Sequence, residues 1–96
     1  MPYPDGLPTI HYTQMPASRA DSPTYRESET FRRELPRMLA EGHEGKWALI
    51  KGDEVVELFM SFDDGYRAGR QRYQFQPFIV QPVREWQPVM RLRVGA

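Results

Sequence analysis

Gly45-Lys46-Trp47-Ala48-Leu49-Ile50-Lys51-Gly52-Asp53-Glu54-Val55-Val56-Glu57-Leu58-Phe59-Met60 is the stretch on which the fold turns. Its two runs, 46–50 and 54–60, are rich in aromatic and β-branched residues, which suit a pleated, half-buried surface. Between them Lys51-Gly52-Asp53 reads as a compact turn, because glycine adopts positive φ at no steric cost and aspartate tolerates turn geometry. The stretch therefore predicts an antiparallel hairpin.

Upstream, Phe31, Leu35, Met38 and Leu39 recur at i, i+4, i+7 and i+8, one face of a helix. The helix should begin near Thr24 or Ser28 and end around Glu41-Gly42. Thr24 and Glu27 have the spacing of a capping box. Pro36 falls inside the pattern and, lacking a backbone donor, should kink or split the helix. Gly42 and Gly45 supply the stop.

Downstream, Ser61-Phe62-Asp63-Asp64 opens a second helix running to about Tyr73. Ser61 suits an N-cap, and the aspartates sit where the helix dipole favours negative charge. Arg67, Arg70 and Arg72 occupy its later turns. Gly65, Ala68 and Gly69 give a smooth face for close packing. Phe78-Ile79-Val80-Gln81-Pro82-Val83 reads as a third strand, placed at an edge or near its own end by Pro82. Val89-Met90-Arg91-Leu92-Arg93-Val94 reads as a fourth.

Residues 1–24 hold five of the nine prolines (Pro2, Pro4, Pro8, Pro16 and Pro23) and read as an extended arm. Within it Thr9-Ile10-His11-Tyr12-Thr13 could form a short strand. The expected organisation is arm 1–24 followed by one α+β domain, 25–96. That domain is a small antiparallel sheet in α-β-β-α-β-β order, with two helices on one face. A chain of 96 residues is one domain.

Cysteine is absent, which excludes disulfides and thiolate chemistry and removes the usual ligands of structural zinc. With no apolar run of membrane length and no charged start before an apolar segment, a cytoplasmic protein is expected. Net charge is zero but uneven. Residues 1–65 carry seven Lys/Arg against twelve Asp/Glu, and residues 66–96 six Arg against Glu85 alone.

Catalytic signals are lacking, and no enzyme activity, cofactor or metal site is expected. His11 in the arm and His43 in a glycine-flanked loop belong to no nucleophile–base motif. Glu41, His43 and Glu44 are too close in sequence to converge on a metal, and helix capping accounts for Asp63 and Asp64. Glu54 and Glu57 read as solvent-facing. Gly42-His43-Glu44-Gly45 lacks the spacing of a phosphate loop.

From Gly45 to Val56, followed by Ser61-Phe62-Asp63-Asp64 and Gln76-Pro77-Phe78-x-Val80, the chain resembles small uncharacterised bacterial proteins. These share a Gly-x-aromatic-Ala-x-x-x-Gly-x-x-Val hairpin and a following acidic-start helix. The resemblance covers roughly residues 30–83. It implies a shared fold and carries no assigned activity.

What remains is association. An extended arm, an open sheet edge and loop aromatics point to a non-catalytic protein–protein interaction module or accessory subunit, as a homo-oligomer or with a protein partner. The expected contacts are Ile10 and Tyr12 in the arm and Arg84, Trp86 and Arg91 near the C-terminus. The alternative is a nucleic-acid-binding protein using Arg67, Arg70 and Arg72, interleaved with aromatics that can stack on bases.

Overall fold

The structure, a computed structural model, describes residues 9–15 and 19–88. In chain order it contains β1 (Thr9–His11), a 3-10 turn (Tyr12–Gln14), α1 (Tyr25–Ala40), β2 (Trp47–Lys51), β3 (Glu54–Phe59), α2 (Phe62–Tyr73), β4 (Ile79–Pro82) and β5 (Trp86–Pro88). The chain is α+β, with two helices and two small antiparallel sheets, β3-β2-β4 and β1-β5.

The hairpin forms as its sequence predicts. Lys51 pairs with Glu54 across a two-residue Gly52-Asp53 connection, and Gly52 takes φ 62°, where a Cβ would be strained. Register slips once: Leu49 faces Glu57 but Ile50 faces Val55, so Val56 is the extra residue of a β-bulge.

α1 clamps this turn. Glu27 is buried, and its Oε2 accepts the Gly52 N–H at 2.8 Å. Thr30 Oγ1 lies 2.7 Å from the Gly52 carbonyl and 2.9 Å from that of Arg26. Arg26 grips the Asp53 carboxylate with two hydrogen bonds of 2.9 and 2.7 Å, and Arg33 donates to the Asp53 carbonyl. This corrects the capping box: Thr24 makes no side-chain cap, and Glu27 is drawn away to the orphan donor of the turn. Pro36 does not split the helix either, for α1 is continuous through it. Phe31 and Leu35 before the proline and Met38 after it are buried in one core.

The expected placement of both helices on one sheet face is also corrected. Alternation along β2 sends Ala48 and Ile50 to one side, where they join Phe31, Leu35 and Met38 of α1, with Val83. Trp47, Leu49 and Lys51 face the other way, toward α2. There Trp47 meets Phe62, Lys51 lies 5.7 Å from the Tyr73 ring, and Val80, paired with Leu49, sits under Gly65. The sheet is thus a middle layer between two helices, because every residue of Ala48-Leu49-Ile50 is apolar and buried.

The expected fourth strand, 89–94, lies outside the described residues. β5 begins earlier, at Trp86, and pairs with β1, so residues expected as an interstrand loop are sheet. Gln87 is buried at this corner, and its Nε2 donates to the carbonyls of Pro82 and Arg84 at 2.9 and 2.7 Å.

Candidate functional site: the β4 edge and the aromatic stripe of α2

Ser61 starts α2 as expected, its Oγ accepting the Asp64 N–H at 3.1 Å. Gly65 and Gly69 then let the helix lie directly on the strand. A Cβ on Gly65 would come within 2.9 Å of Val80 Cγ1, and one on Gly69 would run into the Phe78 ring. Residue 65 over 80 and residue 69 over 78 also show that α2 and β4 run antiparallel. α2 ends at Gln74, whose φ of 52° is unusual for a residue other than glycine.

This close approach brings one side of α2 down along the outer side of β4. A groove of about 500 Å³ opens there, lined among others by Phe62, Tyr66, Arg70, Phe75, Phe78 and Val80. Phe62 and Tyr66 stack with centroids 5.7 Å apart, and Tyr66 meets Phe78 at 5.8 Å. Phe62 and Tyr66 are each 43% exposed and Phe75 is 91% exposed. A local cluster of exposed aromatics makes this groove the candidate site, since a core would bury them.

Among the described residues β4 is an outer strand of its sheet. Val83 N donates to Lys46 O at 2.8 Å and Val83 O accepts the Gly45 N–H at 2.9 Å, so the backbone of Val83 faces the β2 side. Alternation then turns the backbone groups of Gln81 and Ile79 toward β2, and those of Val80 and Phe78 outward. β3, the opposite edge, carries the exposed charges Glu54 and Glu57 and the bulge at Val56, devices that discourage pairing. β4 carries no charge at all.

The residues expected at a contact surface lie elsewhere. Ile10 pairs with Gln87 in β1-β5 and is half-buried. Tyr12 packs against the core, and its N–H donates to the Glu85 carbonyl at 2.9 Å. Trp86 is half-buried, edge-on to His11 at 5.2 Å, and Arg84 is half-buried beside it. Arg91 lies outside the described residues. Arg67, Arg70 and Arg72 are all exposed but diverge. Arg72 pairs with Glu57 at 2.6 Å toward β3, while Arg70 reaches the Tyr66 hydroxyl at 3.4 Å toward β4. Tyr66, Phe75 and Phe78 belong to the aromatics that the sequence interleaves with the arginines, and Phe62 does not. The signal for Phe62 and Tyr66 is the glycine pair, which fixes the sheet-facing side of α2 and so leaves these two rings beside it.

Around His11 a hydroxyl, an imidazole and a carboxylate fall in line. Nδ1 lies 2.7 Å from Thr13 Oγ1, and Nε2 lies 3.0 Å from Glu85 Oε2. Nδ1 also accepts the Thr13 N–H at 3.4 Å, so the imidazole caps the 3-10 turn and ties it to Glu85, the residue before β5. Among the described residues no group of three or more His, Asp or Glu could hold a metal ion. No helix among them is long and apolar enough to cross a membrane. The chain matches no protein-family model, no curated protein and no solved structure, so the resemblance of residues 30–83 rests on its motif alone.

Proposed function

We propose that the protein is a non-catalytic association module whose working surface is the outer edge of β4 together with the aromatic stripe of α2. One observation carries this reading. The sheet guards its β3 edge with charge and a bulge and leaves the β4 edge apolar, beneath exposed rings. An extended segment added at β4 would take hydrogen bonds from the outward backbone and lay alternate side chains against Tyr66 and Phe75. Of the arm, Thr9–His11 pair within the chain as β1 with β5.

The test is a titration of the isotope-labelled chain, at low micromolar concentration, with a panel of blocked strand-forming peptides. Amide shifts concentrated at residues 78–81 and along Phe62, Tyr66 and Arg70 support the reading. Shifts elsewhere, or none at millimolar peptide, refute it. The same titration with a single-stranded oligonucleotide at low salt addresses the nucleic-acid alternative. Tight binding that collapses with added salt and is lost on replacing Arg67, Arg70 and Arg72 together would favour that alternative.

A further inference from the structure

We infer that the occupant of the β4 edge is a second copy of this chain, its β4 paired antiparallel to the first across a two-fold axis at Ile79. This rests on the association reading above and names its partner.

The backbone of β4 is self-complementary in one register. Its outward groups belong to Phe78 and Val80, bracketed by Pro77 and Pro82. With the axis at Ile79, Phe78 of each copy faces Val80 of the other, and four hydrogen bonds close with every outward donor and acceptor used. Moving the axis to Val80 sets Phe78 against Pro82, which has no N–H and whose carbonyl already accepts Gln87. An axis at Ile79 also makes the interface isologous, as closed dimers require. The product is one continuous six-stranded sheet, its two outer edges both β3 with their glutamates and bulges.

The helix above follows the same symmetry. Because α2 runs antiparallel to β4, the two copies of α2 lie side by side and reversed, crossing the axis near Tyr66 and Arg67. Tyr66 and Arg70 line the groove along the β4 edge, and Asp63, at i−3 from Tyr66 and i−7 from Arg70, falls on the same stripe of α2 by helical spacing. Reversal sets Asp63 of each copy opposite Arg70 of the other, twice, with the Tyr66 rings at the axis. All three residues are exposed in the single chain. A stripe that reads acid, ring, base along its length is complementary to its own reverse.

The experiment is sedimentation equilibrium of the full chain from low to high micromolar concentration, with hydrogen exchange of individual amides. The expected species has twice the 11.3 kDa chain mass, weakens with added salt, and shows protection of the Phe78 and Val80 amides that is lost on dilution. Asp63→Arg and Arg70→Asp should each weaken it by about ten-fold or more, because each places like charges together at both contacts. Mixing the two variants should restore the dimer, since every contact is then opposite in sign. Both substitutions are at exposed sites, and circular dichroism checks that each variant is folded. A monomer throughout overturns the inference, and the peptide titration then decides separately whether the association reading survives. A dimer indifferent to both reversals, or one with the Val80 amide unprotected, uses another surface and overturns it as well.

Discussion

Replacing Gly69 by alanine sets two effects of opposite sign against each other. Alanine in a helix interior is favoured over glycine by about 0.8–1 kcal/mol. The new methyl, however, would lie 2.7 Å from Phe78 Cδ2 and 2.8 Å from Cζ. Carbon atoms prefer about 3.5–4.0 Å, so ring and helix must separate by about 1 Å. The ring has little room to give, held between Tyr66 and Tyr73 at 5.8 and 6.2 Å and anchored at the entry to β4. Overpacking of this kind costs about 1–3 kcal/mol. The clash should win by about 1 kcal/mol, which in a domain of this size lowers Tm by about 4–8 °C. Thermal and urea denaturation of the single variant measure it. In a Phe78→Leu background the obstruction is gone, and the same Gly69→Ala change should become neutral or stabilising. A Gly69→Ala protein more stable than the parent, with Phe78 intact, would refute the close packing of α2 on β4.

Two further outcomes test the clamp on the hairpin turn. Glu27→Ala leaves the part-buried Gly52 N–H without its carboxylate acceptor and should cost about 1–2 kcal/mol in urea denaturation, whereas Glu27→Gln, which keeps an acceptor oxygen, should cost about half as much; equal effects would mean that the hydrogen bond is not what holds the turn. The second outcome concerns pH. Hydrogen bonding to Arg26 holds the Asp53 carboxyl below its ordinary value of 3.8, so its contribution to stability is fully present above that value and is lost as pH falls through the lower folded one. Arg26→Gln should therefore move the Asp53 titration seen by carboxyl NMR upward and flatten this part of the acid destabilisation; an unmoved midpoint would show that the pair does not persist in solution.

Sequence revealed the parts of this fold that local chemistry dictates. The Gly52-Asp53 turn, the Ser61 cap and the small face at Gly65 and Gly69 each follow from what one or two residues can do with their own backbone. It misled where a residue served a distant partner. Glu27 has the spacing of a cap, but the unsatisfied N–H it meets lies 25 residues away, in a turn that α1 reaches only after packing. The two-sided sheet was legible in principle from the unbroken apolar run Ala48-Leu49-Ile50, which alternation cannot bury against one helix. The candidate site was the least legible. Aromatics are needed for a core, and composition does not say which of them the core leaves out. Only the pose of α2, fixed by two glycines, sorts Phe62 and Tyr66 to the surface. The arm fell between these cases: its strand was visible, but its partner strand was not.

The pairing of β1 with β5 joins residues 75 to 79 positions apart, and this constrains biosynthesis. Chains emerge at about 5–20 residues per second, so His11 waits about 4–15 seconds before Trp86 exists to meet it. During that interval Tyr12 and Met15 lack part of the surface that later covers them, while the β2-β3 hairpin, closed by a two-residue turn, can form as soon as it is made. The nascent protein should therefore assemble from its middle outward, with the strand synthesised first among the last to dock. A slow codon run or a chaperone acting between the hairpin and Trp86 would lengthen the life of an unpaired β1, and this strand is most vulnerable just before Trp86 is made.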